Sequence, residues 1–457
     1  MSRGSAFDPR VLRAAALSVS AGVSALLAWS CSPGPTVDRP HPAVAKNVIL
    51  LIGDGMGAPQ RSFLTYWLGR EPSMNSMPVS GLISTHPAPR DSSQIEITDS
   101  AAAGTAMACG VKTFNDVIAQ DTQGRPVPTI LEAAKQAKMA TGLVVTCQVT
   151  HATPACFAAH DDNRDHYDAI AVDYLSTQPD LILGAGTDYF LPTGAGGGRT
   201  DGRDLLTEFR AAGYQVIREN EALAGVVTLP LLGLFAPKYF PPALDATPHE
   251  TPTLPEMTGK ALDLLSRDPD GFFLMVEGSQ IDWGAHGNDA PYTIHELVAF
   301  DEAVEAAREF AHRDGETLVV VLADHETGAL SLGRDYELHL DVLRGMTATC
   351  GRIADEIESD TTRTVELLRE LAGFEPSAEE RGILRTSRKT IDGVNEIVNR
   401  RIGLIWGSHD HSGGHIPVTA DGPGSAAFAG FFDNTEIATK MAAALGLSLR
   451  DVKPLSP

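Results

Sequence analysis

Four uninterrupted apolar runs constrain this chain more than any other feature: KNVILLIG at 46–53, TGLVVT at 141–146, GFFLMV at 271–276 and TLVVVLA at 317–323. A strand with one wet face alternates apolar and polar residues. A short run without alternation must be covered on both faces, as in a parallel sheet. Helical spacing falls between the runs, over Thr129–Lys138, Met257–Ser266 and His295–His312. Strands alternating with helices give an α/β fold with a doubly wound, mostly parallel central sheet flanked by helices. The 457 residues, 43% hydrophobic and 21% charged, suffice for one large unit with a sizeable core. That composition excludes wholesale disorder, collagen-like repeats and coiled coil.

Two segments break the rhythm. Residues 185–255 are rich in Gly and Pro and read as surface structure over the sheet edge. Residues 331–404 are polar and helix-prone and read as an insertion. At the N-terminus, Arg3, Arg10 and Arg13 precede an uncharged stretch from Ala14 to Cys31. This is the pattern of an export signal over residues 1–31, followed by a Pro-rich tether at 32–44. Cys31 follows a small residue, so lipid attachment there and simple cleavage nearby both stay open. The expected location is the periplasm or outer cell surface.

The net charge of −23, from 59 acidic against 36 basic residues, repels nucleic acid and anionic membranes at long range. A small anionic substrate is compatible only where local cations overturn that field. The five cysteines include no CxxC pair and are too few for a disulfide scaffold. Cys109 reads as a buried thiol. One disulfide among Cys147, Cys156 and Cys350 stays open, without an assignment.

Ligands in open parallel sheets bind beyond the carboxyl ends of the strands. Asp54 follows the first run; Glu277, Asp282 and His286 follow the third; Asp324 and His325 follow the fourth; His411 comes after the insertion. Each alone has a plainer explanation: Asp54 and Asp324 as turn residues, Asp282 with His286 as a helix surface pair, His411 as a solvated histidine. Together they form a set of hard-to-borderline donors suited to zinc and magnesium, and without cations such a cluster repels itself.

Two further signals accompany it. Ser100, in Thr98-Asp99-Ser100-Ala101, precedes a run of small residues and reads either as a helix N-cap or as a nucleophile at the positive end of a helix. Arg164 reads as a surface charge or as a bidentate phosphate ligand. His151 and Thr153 lie two apart at a strand end and could serve a third ion, with a Thr cap before Pro154 as the plainer reading.

The segments KNVILLIGDGMG, TDSAAAGTAMACGVKT, HATPACFAAHDDNR, FFLMVEGSQIDWGAH, ADHETGAL and the HSGGHIPVTADGPGS region resemble the alkaline phosphatase family, in the family's order from residue 46 to about 446. The resemblance implies a phosphomonoesterase acting on small phosphate esters, with Ser100 as nucleophile and a phosphoserine intermediate. It implies that Asp282, His286 and His411 hold one zinc, and that Asp54, Asp324 and His325 hold a second. Asp54, Thr153 and Glu277 would border a magnesium site. Arg164 would clamp the phosphoryl group, with Asp99 orienting it. His151 and Trp283 stand where some members carry Asp and Lys, a pairing similar to a bacterial subgroup, and this puts the third ion's identity in question. Residues 331–404 occupy the place of the family's crown insertion, and crown regions often join two subunits, so a homodimer is expected. Two other readings compete: a phosphodiesterase or sulfatase of the same superfamily, and a non-catalytic metal- or phosphate-binding surface protein. Neither a sulfatase-type CxPxR context nor the diesterase Thr nucleophile is present around Ser100.

Overall fold

The computed structural model of the protein describes residues 45–456 apart from 92 and 248. The export signal and tether read at 1–44 lie outside the described residues.

A ten-stranded sheet runs through the centre. In chain order its strands are β1 (Asn47–Gly53), β2 (Val79–Ser84), β3 (Ala140–Gln148), β4 (Leu181–Ala185), β5 (Gln215–Ile217), β6 (Leu231–Leu234), β7 (Phe272–Gly278), β8 (Thr317–Leu322), β9 (Ile416–Asp421) and β10 (Gly430–Asp433). In space the order is β10-β2-β9-β8-β1-β7-β3-β4-β6-β5. The block from β8 to β5 is parallel throughout, and β9 is antiparallel to both its neighbours. The four apolar runs are its central strands β1, β3, β7 and β8, buried at every residue. Each buried Leu, Ile, Val or Phe there contributes roughly 1.5–3 kcal/mol of burial free energy.

Register positions the chemistry. Ile52 of β1 lies beside Glu277 of β7 and Leu322 of β8, and Val145 of β3 lies beside Glu277. The residues just past these strands, including Asp54 and Asp324, therefore emerge at one level on the carboxyl edge of the sheet.

The segment at 185–255 differs from the sequence expectation. It contains β5 and β6, which extend the sheet itself, with short helices at Leu205–Ala211 and Asn220–Gly225. These strands are only three and four residues long, too short to form an apolar run. The insertion leaves and returns through an antiparallel ribbon pairing Leu330 with Trp406 and Leu332 with Leu404. Between the ribbon strands lie helices at Asp341–Arg344, Cys350–Ser359, Thr364–Leu371, Ala378–Thr386 and Thr390–Ile402. Asn395 and Asn399 reach back from it to the carbonyls of Gly287 and Asn288, at 2.7 and 2.8 Å. Cys109, Cys147, Cys156 and Cys350 are buried free thiols, so the disulfide left open by the sequence does not form among them.

Candidate active site

The helix α1 (Ser100–Cys109) is capped by Asp99, whose Oδ1 accepts from Ala102 N at 2.8 Å. Asp99 is extended at φ −95°, ψ 175°, as an N-cap requires. Ser100 is thus the first helical residue rather than the cap, and its hydroxyl is free for other work. The small residues of the helix let it pack tightly: a side chain at Gly104 would meet Cys156 Sγ at 3.0 Å.

Ser100 Oγ lies 3.3 Å from His325 Nε2. The same nitrogen is 3.1 Å from Asp324 Oδ2 and 3.6 Å from Asp54 Oδ1. Asp324 Oδ1 is held by the backbone N–H groups of Gly55 and His325 at 3.1 and 2.9 Å, which leaves Oδ2 turned to the set. A second set adjoins the first. On the helix α2 (Gln280–His286), Asp282 Oδ2 is 3.3 Å from His286 Nε2, and Asp282 Oδ1 is 3.7 Å from His411 Nε2. The rings of His325 and His411 stack with centroids 3.5 Å apart.

Hydrogen bonds outside these sets fix the tautomers. His411 Nδ1 donates to the carbonyl of Thr98 at 2.8 Å, and His286 Nδ1 donates to the carbonyl of His409. Both Nε2 atoms then face inward as lone pairs, the arrangement expected of metal-binding imidazoles. Thr327 links the sets: its hydroxyl donates to Asp282 Oδ1 at 2.5 Å and lies 3.3 Å from His325 Nδ1. Gly55 sits at φ +70°, and a Cβ there would lie 2.8 Å from both the Cα and Oδ1 of Asp282.

A third group gathers Cys147, His151 and Glu277, with their ligand atoms all within 4.8 Å of one another. Thr153 lies against Glu277. Trp283 packs edge-on to the His151 ring at 6.0 Å between centroids. Arg164 donates to Asp99 Oδ2 at 2.9 Å and to His151 Nε2 at 3.3 Å. Burial works against its charge, yet the Asp99 carboxylate outweighs it and holds the guanidinium above its ordinary value.

These sets fit divalent cations. Both Asp54 carboxylate oxygens, Asp324 Oδ2, Glu277 Oε1, Thr153 Oγ1 and His151 Nδ1 are buried without a hydrogen-bond partner. Burial, reinforced by the charges of Asp324, Asp282 and Glu277, pushes the Asp54 carboxyl well above its usual range. Burial pushes Glu277 up to about 7. Unpaired buried anions of this kind are costly unless a cation neutralises them.

The structure brings together every site residue expected from the sequence: Ser100, Arg164, Asp99, Trp283, Asp54, Asp282, His286, Asp324, His325, His411, Glu277, Thr153 and His151. Sequence reasoning missed Thr327 and the place of Cys147. Thr327 lies two residues after His325 and was legible as a neighbour of the motif. Cys147 lay inside a buried strand and carried no signal of its own.

The family model for alkaline phosphatase matches residues 45–447. Alkaline phosphatase 3 of Bacillus subtilis is 37% identical over 431 residues, covering 89% of this chain and 90% of its own. The crystal structure of a cold-active alkaline phosphatase from a psychrophilic Shewanella is 35% identical with a TM-score of 0.80, covering 87% of this chain and 99% of that one. The Thermus thermophilus alkaline phosphatase structure is 30% identical with a TM-score of 0.79, covering 90% and 93%.

Proposed function

The chain belongs to the alkaline phosphatase family, a metal-dependent phosphomonoesterase acting on small phosphate esters, and we propose that it works through a phosphoserine at Ser100. Zinc ions are assigned to the Asp54–Asp324–His325 and Asp282–His286–His411 sets, and a third divalent ion to the set around Glu277. When bound, such ions supply positive charge to entering and leaving oxygens and lower the pKa of a nearby hydroxyl or water.

The chain's own residues divide the remaining work. Ser100 Oγ gives up its proton to solvent and attacks phosphorus; the Oγ–P bond forms as the bond to the leaving alcohol oxygen breaks, and that oxygen departs with the electron pair and takes up a proton. Water then attacks phosphorus, the Oγ–P bond breaks, and Ser100 recovers its proton as inorganic phosphate is formed. Arg164 holds two phosphoryl oxygens through parallel hydrogen bonds, and Asp99 keeps the guanidinium in place. The positive end of α1 favours charge developing at Ser100.

The observation that carries this reading is Ser100 itself: not the cap but the first helical residue, with Oγ 3.3 Å from His325 Nε2. Phosphate trapped at low pH should label Ser100, and Ser100→Ala should lose hydrolysis of a chromogenic monoester. A covalent label at another residue overturns the assignment.

Export to the periplasm or cell surface is part of the proposal and rests on the residue 1–31 pattern. Mass spectrometry of the mature N-terminus separates lipidated Cys31 from simple cleavage, and an uncleaved chain in the cytoplasm overturns export. The helical insertion at 331–404 is assigned as the crown and as the joint of a homodimer, which sedimentation tests. A monomer at micromolar concentration refutes the dimer.

A further inference from the structure

Glu296 is a buried carboxylate outside the three donor sets of the centre. It lies on the helix Ala290–Asp314 and is only 4% exposed, so water reaches it from one side at most. Its Oε1 accepts from Ala243 N at 2.8 Å. Among the described residues, Oε2 has no hydrogen-bond partner and the carboxylate makes no ion pair. Burial pushes the group up to about 7, and only the Ala243 N–H works the other way. A buried carboxylate left half-satisfied is costly until a donor or a cation meets it.

The side chain lines a cavity of about 210 Å³ that neither Ser100, Arg164 nor any residue of the donor sets lines. Phe240, Leu254 and Ala299 supply apolar wall, the last of these three residues after Glu296 on the same helix. The polar groups of the inner wall are already spent. Gln280 Nε2 donates to the carbonyls of Thr146 and Phe240 at 2.9 and 3.0 Å, and Thr146 Oγ1 accepts from Ser279 N at 3.2 Å. The cavity thus offers one charged acceptor in apolar surroundings. A hard metal ion needs about six oxygen ligands and is not served by a single carboxylate. An organic ammonium is served: its N–H groups meet Oε2, and its hydrocarbon body lies against Phe240, Leu254 and Ala299. We propose that this cavity is a ligand site in its own right, apart from the phosphate centre, and that it takes a small primary ammonium compound with a short apolar body, held through Glu296.

The test is calorimetric titration of the full chain at mildly alkaline pH with n-butylamine, which is protonated there, and with n-butanol, its neutral analogue of the same size. The expected result is saturable one-to-one binding of the amine, with the alcohol roughly 10- to 100-fold weaker, the worth of a charge-assisted hydrogen bond. Glu296→Gln keeps an acceptor for Ala243 N but removes the charge, and should bring the amine down to the level of the alcohol. Ala299→Leu fills the cavity from the helix and should abolish binding of both. Amines also bind metal ions, so the titration is repeated after chelation and in saturating inorganic phosphate, with unchanged affinity expected in each. Equal affinity for amine and alcohol overturns the proposal, as does amine binding that survives Glu296→Gln or that chelator or phosphate removes. No binding of the amine at millimolar concentration also overturns it and leaves the cavity to water. The comparison of amine with alcohol on the wild-type chain decides the matter even if a variant fails to fold.

Discussion

Asp99→Asn isolates what holds the phosphate ligand in place. Asp99 spends Oδ1 on the N–H of Ala102 and Oδ2 on Asp116 N and Arg164 Nη1, at 2.8, 3.0 and 2.9 Å. Asparagine caps a helix as well as aspartate, so α1 and the position of Ser100 survive. On the other side the amide presents an NH2 to two N–H donors, and the charge opposite Arg164 is gone. A hydrogen bond to a charged group is worth about 1.5–3 kcal/mol. At about 1.4 kcal/mol per tenfold, kcat/KM should fall roughly 10- to 100-fold. Steady-state hydrolysis of a chromogenic phosphate monoester reads the loss, and inhibition by inorganic phosphate should weaken in parallel. The decisive arm is a double-mutant cycle with Arg164→Ala. If Asp99 acts through Arg164, Asp99→Asn should cost almost nothing once the guanidinium is gone. A full 10- to 100-fold loss in the Arg164→Ala background would refute the reasoning and give Asp99 a role of its own.

Gly55→Ala should lose both activity and bound metal, measured by elemental analysis, because the new Cβ drives into Asp282 at 2.8 Å and the backbone sits at φ +70°. Retention of full metal content would count against that cause. Thr327→Val removes the hydroxyl between His325 and Asp282 while keeping its shape, and should weaken metal retention roughly 10- to 100-fold in a chelator competition. Away from the site, His160 and Glu132 form a fully buried pair at 3.2 Å. Burial opposes the imidazolium, but Glu132 outweighs it and raises His160 above its ordinary value. The pair's stabilisation is therefore complete below about pH 6.5 and is lost as pH rises through the raised native value. The Tm gap between wild type and Glu132→Gln should be widest in acid and narrow toward alkaline pH; a constant gap refutes the linkage.

The parts of the fold legible in the sequence were those governed by burial on both faces. β1, β3, β7 and β8 appear as apolar runs because both faces of their middles are covered, and their ends locate Asp54, Glu277 and Asp324. β5 and β6 were illegible because strands of three and four residues draw their stability from a neighbour already in place. The same distinction holds inside the site. Asp282 and His286 announce themselves by spacing on one helix, but Thr327 matters only through contacts that the chain's return creates. Ser100 was ambiguous between cap and nucleophile. The extended backbone at Asp99 and its carboxylate, which accepts from Ala102, remove the cap reading and leave the Ser100 hydroxyl unspent on the cap.

Charge explains how so acidic a chain can serve an anionic substrate. The net charge of −23 acts over the surface, but ionic strength screens it beyond about 8 Å in physiological salt. Binding is then decided locally. With cations in the three sets, Asp54, Glu277, Asp282 and Asp324 would all be anionic, while Arg164 is already balanced by Asp99. Three divalent ions there would exceed the four carboxylates by two charges, a match for a phosphate dianion.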